Sequence, residues 1–161
     1  MKIAVLGSGG WGTALALVLL ENGHDVTLWS YTEEESAVLR QTGENPMLKG
    51  VALPKELKLT SDLSCVKGCG AVVLATPSFA VRTTAKAAAS LLEPGAVLVS
   101  VSKGIEKDTS LTLTDAIEQE VGDAHPIVAL SGPSHAEEVG RDIPTVVVSA
   151  SLDRSAAEEV E

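Results

Sequence analysis

The sequence predicts an α/β domain built on a doubly wound, mostly parallel sheet, and three observations carry that prediction. Short runs rich in Val, Leu, Ile and Ala alternate with stretches of helical spacing along almost the whole chain, the rhythm of parallel strands joined by crossover helices. Hydrophobic residues make up 45% of the 161, yet only Trp11, Trp29, Tyr31 and Phe79 are aromatic, so the core has to be aliphatic, as suits strands covered on both faces. Four glycines fall within residues 7–12, between the first apolar run and the first helical stretch, where they would weaken either element unless a Cβ had to be avoided.

In chain order, the strand Lys2–Leu6 leads through those glycines into a helix over Trp11–Asn22. A second strand, Asp25–Trp29, precedes a helix over Thr32–Gln41 whose first turn carries Glu33, Glu34 and Glu35, the charge sign that a helix N-terminus favours. Thr42–Pro54, with two glycines and two prolines, reads as an ordered loop. Strands at Leu57–Thr60, Ala71–Ala75, Val97–Val101, Ile127–Leu130 and Thr145–Ser149 follow, interleaved with helices at Ser78–Leu92, Thr109–Val121 and a short one at His135–Gly140. Ser151 or Asp153 can cap a last helix, which reaches Glu161 without a Gly or basic residue to close it. Residues 1–150 are therefore expected to form the domain, and 151–161 to begin a helix leading into further chain.

The formal charge of −10 and the shortage of aromatic stacking surfaces argue against binding to nucleic acid or anionic lipid. The apolar stretch Ala14–Leu20 is too short to span a bilayer and lies behind a glycine loop rather than a basic leader, so no membrane insertion is expected and the expected location is the cytoplasm. Cys65 and Cys69 have no partner Cys or His group at metal-ligand spacing, which predicts reduced structural thiols and no metal site. An anionic ligand of so acidic a chain would have to be held by local geometry.

Gly7, Gly9 and Gly12 supply such geometry as G-x-G-x-x-G at the mouth of a helix. The first glycine allows the tight turn, the second lets a pyrophosphate approach the backbone, and the third lets helix pack closely on strand. With a strand before it, a helix after it and a second strand ending at Trp29, the pattern predicts a dinucleotide-binding domain of Rossmann type. The position that discriminates between cofactors falls at Ser30, followed by Tyr31 and Thr32. It offers neither a carboxylate for a 2′-hydroxyl nor an Arg for a 2′-phosphate. Arg40 could reach back from the following helix, and Glu33–Glu35 would repel a 2′-phosphate if they faced it, so NAD and NADP both stay open.

Ligands in an open parallel sheet lie at the carboxyl ends of its strands, and three polar segments stand there. In ATPS, Ala75–Ser78, the turn at Thr76–Pro77 either runs along the cofactor or is an ordinary strand-to-helix turn. SKGIE, Ser102–Glu106, places Lys103 at the expected nicotinamide end. LSGPSHAEEV, Leu130–Val139, sets Gly132 and Ser134 around Pro133, a backbone and hydroxyl arrangement suited to a small polar or phosphorylated substrate.

The segments GSGGWGTALA, NPMLKG, ATPS, SKGIE and LSGPSHAEEV, in this order and at these gaps, resemble the bacterial NAD(P)-dependent sn-glycerol-3-phosphate dehydrogenases over essentially the whole chain. The resemblance implies cofactor contacts at Gly10, Trp11, Tyr31 and Ala136, and a role for Lys103 against both cofactor and substrate, where it polarises the reacting oxygen. It implies substrate contacts at Gly132 and Ser134. Family members often carry Arg near Tyr31 or Thr32, and its absence here argues against strict NADP use. The resemblance further implies a helical C-terminal domain beyond Glu161 that supplies the proton-acceptor lysine and most phosphate contacts, and a homodimer as the full-length state. The implied reaction is reversible hydride transfer between NAD(P) and C2 of glycerol 3-phosphate, giving dihydroxyacetone phosphate and feeding glycerophospholipid synthesis. The 161-residue chain alone is expected to bind cofactor without turnover. A 2-hydroxyacid dehydrogenase of the 6-phosphogluconate type is the enzymatic rival, against which SKGIE and GPSHAEE stand. A stand-alone nucleotide sensor is the non-catalytic one.

Overall fold

Strands β1 (Lys2–Leu6), β2 (Asp25–Trp29), β3 (Lys58–Thr60), β4 (Ala71–Leu74), β5 (Val97–Ser100), β6 (Ile127–Ser131) and β7 (Val148–Ser151) form one sheet, in the order β3-β2-β1-β4-β5-β6-β7. The structure is a computed structural model and describes every residue from Met1 to Glu161. All strand pairs are parallel except β6 with β7. Six helices accompany them: α1 (Gly10–Glu21), α2 (Glu33–Thr42), α3 (Val81–Ala89), α4 (Leu113–Val121), α5 (Ala136–Val139) and α6 (Arg154–Val160).

The sheet is apolar on both faces, which is why its strands read as continuous hydrophobic runs rather than alternating ones. Along β1, Ile3 and Val5 join a core with Ala14 and Leu17 of α1, Leu39 of α2 and Ala156 of α6. Ala4 and Leu6 point the other way, into a core with Val81 and Ala85 of α3 and Leu113 and Ile117 of α4. Small alanines at these helix positions let the helices lie close on the sheet. Cys65 and Cys69 are free thiols at the edge of the second core, and the Cys69 thiol donates to the Cys65 carbonyl at 3.3 Å. Burial pushes both thiols up, Cys65 to about 11, so neither offers a reactive thiolate near neutral pH.

Several boundaries differ from the sequence reading. The helix expected over Thr109–Val121 starts at Leu113, because Ser110 adopts a left-handed φ of 58° and Ser110 N–H turns back to the Glu106 carbonyl at 2.9 Å. Thr112 then caps α4, its hydroxyl accepting from Asp115 N–H at 3.2 Å. The helix expected from Ser78 to Leu92 opens with a 3-10 turn over Ser78–Ala80 and ends at Ala89. The last strand lies at Val148–Ser151 rather than Thr145–Ser149, and it is antiparallel. A four-residue α5 advances only about 6 Å, too little to carry the chain back across the sheet for another parallel strand. Of the two expected caps of the final helix, Asp153 is the one used, accepting from Ser155 and Ala156 N–H at 2.9 and 3.2 Å.

Candidate cofactor site

β1 lies between β2 and β4, and the chain leaves it first to one side and then to the other, so a crevice opens beyond its carboxyl end. A cleft of about 670 Å³ fills that position. Gly7, Gly9, Gly10, Trp11 and Gly12 form its floor, Tyr31 stands at one end, and Lys103, Ser134 and Ala136 stand at the other. Gly132 is the one sequence-predicted site residue that does not line it. A Cβ there would come within 2.6 Å of the Val146 carbonyl oxygen, so that glycine serves the packing of residues 146–147 against the end of β6.

The glycines of the loop have distinct surroundings. Gly7 sits at φ +122°, and a Cβ on it would approach the Ala75 carbonyl oxygen to 2.6 Å, so β1 and β4 can close together only around a glycine. A Cβ on Gly12 would overlap the Gly7 carbonyl oxygen and touch the Ala75 Cβ at 3.0 Å, which makes this the point where α1 presses on the sheet. Gly9 has nothing within 4 Å of where its Cβ would be, leaving the backbone bare toward the cleft. The amides of Gly9, Gly10, Trp11 and Gly12 donate to no protein acceptor, and α1 carries neither a side-chain cap nor an acidic residue in its first turn. Four unpaired amides at the positive end of a twelve-residue helix, beside an open backbone, fit the diphosphate of a dinucleotide.

At the β2 end, Tyr31 is 80% exposed and meets Trp29 edge-on, with ring centroids 6.1 Å apart. The Trp29 indole N–H donates to the Ser61 carbonyl at 2.9 Å, fixing the ring beneath it. Arg40 does not reach back into the cleft: it pairs with Glu33 and donates to Ser36 Oγ at 2.8 Å and the Leu59 carbonyl at 3.2 Å. The Ser61 hydroxyl, followed by Arg40, holds the Glu33 carboxyl below its usual range. Of the three glutamates only Glu35 lines the cleft, where it closes a capping box with Thr32. The hydroxyl of Ser30, fully buried, has no hydrogen-bond partner.

At the far end, Lys103 Nζ donates to the Ser134 carbonyl at 3.4 Å, bringing two of the sequence-predicted residues together. The Ser102 hydroxyl donates to the Thr76 carbonyl at 2.5 Å and ties the SKGIE loop to ATPS. Thr76 Oγ1 is buried without a partner beside the same cleft. Behind Lys103, Arg82 grips Glu106 with two bonds of 2.6 and 2.7 Å and Glu120 with one of 2.8 Å. Arg82, with help from the Thr109 hydroxyl, holds the Glu106 carboxyl at about 2, and the two glutamates raise Arg82 further above its ordinary range. Sequence reasoning missed this clamp and also missed Asn45, whose carboxamide touches the glycine loop. The only signal for Asn45 was its place in the NPMLKG segment.

Comparison with known proteins agrees with this geometry. The family model for the NAD-dependent glycerol-3-phosphate dehydrogenase N-terminus matches residues 2–157. A glycerol-3-phosphate dehydrogenase [NAD(P)+] of Moorella thermoacetica is 48% identical over 162 residues, covering 99% of this chain and 48% of that protein. One of Fusobacterium nucleatum subsp. nucleatum is 46% identical over 154 residues, covering 93% of this chain and 46% of that protein. The crystal structure of a glycerol-3-phosphate dehydrogenase from Coxiella burnetii superposes with a TM-score of 0.92 at 33% identity, over 99% of this chain and 49% of that one. The chain thus spans about half the length of the relatives it matches. From its sheet order, its glycine loop and these matches, the chain belongs to the NAD-dependent glycerol-3-phosphate dehydrogenase family, whose N-terminal part it represents.

Proposed function

We propose that residues 1–150 are the NAD(P)-binding domain of a glycerol-3-phosphate dehydrogenase, that 151–161 begin the connection to a helical substrate domain, and that the full-length enzyme interconverts sn-glycerol 3-phosphate and dihydroxyacetone phosphate. The observation that carries the reading is the bare Gly9 backbone beside four unpaired amides at the start of α1. In this reading Gly7, Gly9, Gly10, Trp11 and Gly12 hold the diphosphate of NAD or NADP, Tyr31 flanks the adenosine end, and Ala136 borders the nicotinamide end. When bound, the cofactor supplies the redox chemistry, exchange of a hydride with C2 of the substrate.

The chain's own contribution is positioning and charge. Lys103 directs its ammonium toward the substrate oxygen and stabilises the negative charge that develops on it. Ser134 borders the phosphorylated substrate, and Gly132, outside the cleft lining, acts through Ser134, whose N–H donates to the Gly132 carbonyl at 2.9 Å. The proton acceptor and most phosphate contacts belong to the other half of the full-length protein. No helix is long and apolar enough to cross a membrane, and we place the enzyme in the cytoplasm as a homodimer with no nucleic-acid partner, supplying glycerol 3-phosphate for glycerophospholipid synthesis.

Calorimetric titration with NADH tests the cofactor assignment. The wild-type chain should bind, and Gly9→Val should lose binding while keeping its fold, because a branched side chain would fill the open space beside the amides. Unchanged affinity in a folded Gly9→Val variant overturns the assignment.

A further inference from the structure

We propose that Asn45, on the loop between α2 and β3, is a positioning residue that sets the direction of the diphosphate-binding amides. The proposal rests on the reading of the cleft as a dinucleotide site.

Asn45 is 2% exposed, and its carboxamide is fully engaged. Nδ2 donates to the Ser8 carbonyl at 2.9 Å and to Thr13 Oγ1 at 2.6 Å, while Oδ1 accepts from Met47 N–H at 2.9 Å. One side chain therefore joins three parts of the site: the glycine loop at Ser8, the first turns of α1 at Thr13, and the cleft wall formed by Pro46 and Met47. The wall is seated independently. Leu48 is buried in the core shared with α1, Leu48 N–H closes a turn on the Asn45 carbonyl at 2.8 Å, and a Cβ on Gly10 would come within 2.7 Å of the Met47 carbonyl oxygen. Gly10 is thus a point of contact between this loop and the helix start as well as part of the cleft floor.

The bond to Ser8 has a directional consequence. In a planar trans peptide the carbonyl of one residue and the N–H of the next point to opposite sides. Anchoring the Ser8 carbonyl on Asn45 therefore turns the Gly9 N–H away from the protein, on the side where Gly9 has open space and its amide has no partner. Without that anchor the Ser8–Gly9 peptide can rotate, since glycine leaves it few steric barriers, and the loop would have to be reordered each time the diphosphate bound. Thr13 extends the same restraint into α1. The long Thr42–Pro54 segment is in this account the brace of the anion site.

The test is made on the full-length protein, with NADH dissociation constants, apo unfolding midpoints and steady-state kinetics for Asn45→Ala, Asn45→Asp and Leu48→Ala. Asn45→Ala should weaken NADH by about tenfold, the scale of losing hydrogen bonds that preorganise a site. Asn45→Asp keeps the size and the acceptor for Met47 N–H but places a carboxylate against the Ser8 carbonyl. It should weaken NADH at least as much, and it is the variant to read if Asn45→Ala does not fold. At saturating cofactor both should keep kcat and the glycerol 3-phosphate KM within about threefold, a split that general loosening of the fold would not give. Leu48→Ala removes core packing from the same loop and leaves the carboxamide bonds in place, so it should lower the unfolding midpoint while leaving NADH affinity within about threefold. Folded Asn45 variants that bind NADH within twofold of wild type overturn the proposal, as does a Leu48→Ala variant that loses as much affinity as Asn45→Ala. A wild-type protein that fails to bind NADH, or a Gly9→Val variant that binds normally, would instead overturn the cofactor reading beneath it.

Discussion

Lys103 and Glu35 are the only Lys, Arg, Asp or Glu residues that line the cleft, and they stand at its opposite ends. At the Lys103 end the ammonium already lies against the Ser134 carbonyl, so its reach is set before substrate arrives. Lys103→Met in the full-length protein should leave NADH affinity nearly intact and lower kcat/KM by about a hundredfold, the scale of one well-placed electrostatic contact. Near-normal turnover would reduce Lys103 to a surface lysine. At the other end Arg40 is engaged by Glu33, Ser36 and Leu59 and cannot greet a 2′-phosphate without leaving them, whereas Glu35 lines the cleft at the Tyr31 end, where in our reading the adenosine lies. Glu35 is exposed and its field is screened by salt, so we expect NADH to bind more tightly than NADPH by no more than about tenfold. Glu35→Gln should narrow the gap by raising NADPH affinity while leaving NADH almost unchanged. Parallel titrations check this, and a thousandfold gap in wild type, or a Glu35→Gln variant with the gap intact, would show that another residue discriminates.

Between elements, the Arg82 clamp joins α3, the loop carrying Lys103 and Glu106, and α4 through Glu120. Glu106 is shifted from 4.5 to about 2 in the folded protein, chiefly by its two bonds to Arg82. A depressed carboxyl stabilises the fold fully above its unfolded pKa, and that contribution fades as pH falls from about 4.5 toward 2. Urea midpoints of the wild type should decline over that window, and Arg82→Met should be less stable at neutral pH with a shallower decline. An equally steep decline would mean that Glu106 is not the group responsible. Such a clamp illustrates what a sequence reading can reach. Strand and helix order was legible because aliphatic runs and helical spacing are local, and the glycine loop, Tyr31, Lys103, Ser134 and Ala136 could be located as strand ends or as motif positions. The partners of Arg82, and Ser8 and Thr13 as partners of Asn45, lie 24 to 38 residues away in sequence, and no periodicity reports a pairing at that separation. The start of α4 was missed for a related reason: the helical spacing runs back to Thr109, but the Thr109 hydroxyl is committed to Glu106 at 2.5 Å, and the left-handed Ser110 postpones the helix to Leu113, with Thr112 as its cap.

Across the whole molecule, the order of the strands opens the cleft beyond the carboxyl ends of the adjacent parallel strands β1 and β4, with the glycine loop as its floor, and sets Lys103, Ser134 and His135 at the end opposite Tyr31. Oxidising an alcohol to a ketone removes a proton from the hydroxyl for every hydride taken from carbon, so one group must polarise the oxygen and another must accept the proton. In our reading Lys103 has the first role, its ammonium donating to the Ser134 carbonyl and then to substrate. In the same reading the second role falls to the part of the full-length enzyme outside this chain, which spans about half the length of its relatives. The 161-residue chain should therefore bind NADH, seen as quenching of Trp11 and Trp29 fluorescence, yet form no NADH from NAD and glycerol 3-phosphate under conditions where the full-length protein turns over. Measurable turnover by the chain alone would show that its own residues complete the proton path. His135, beside Ser134 on the cleft wall, would then be the first candidate acceptor, and His135→Gln the variant in which that turnover should disappear.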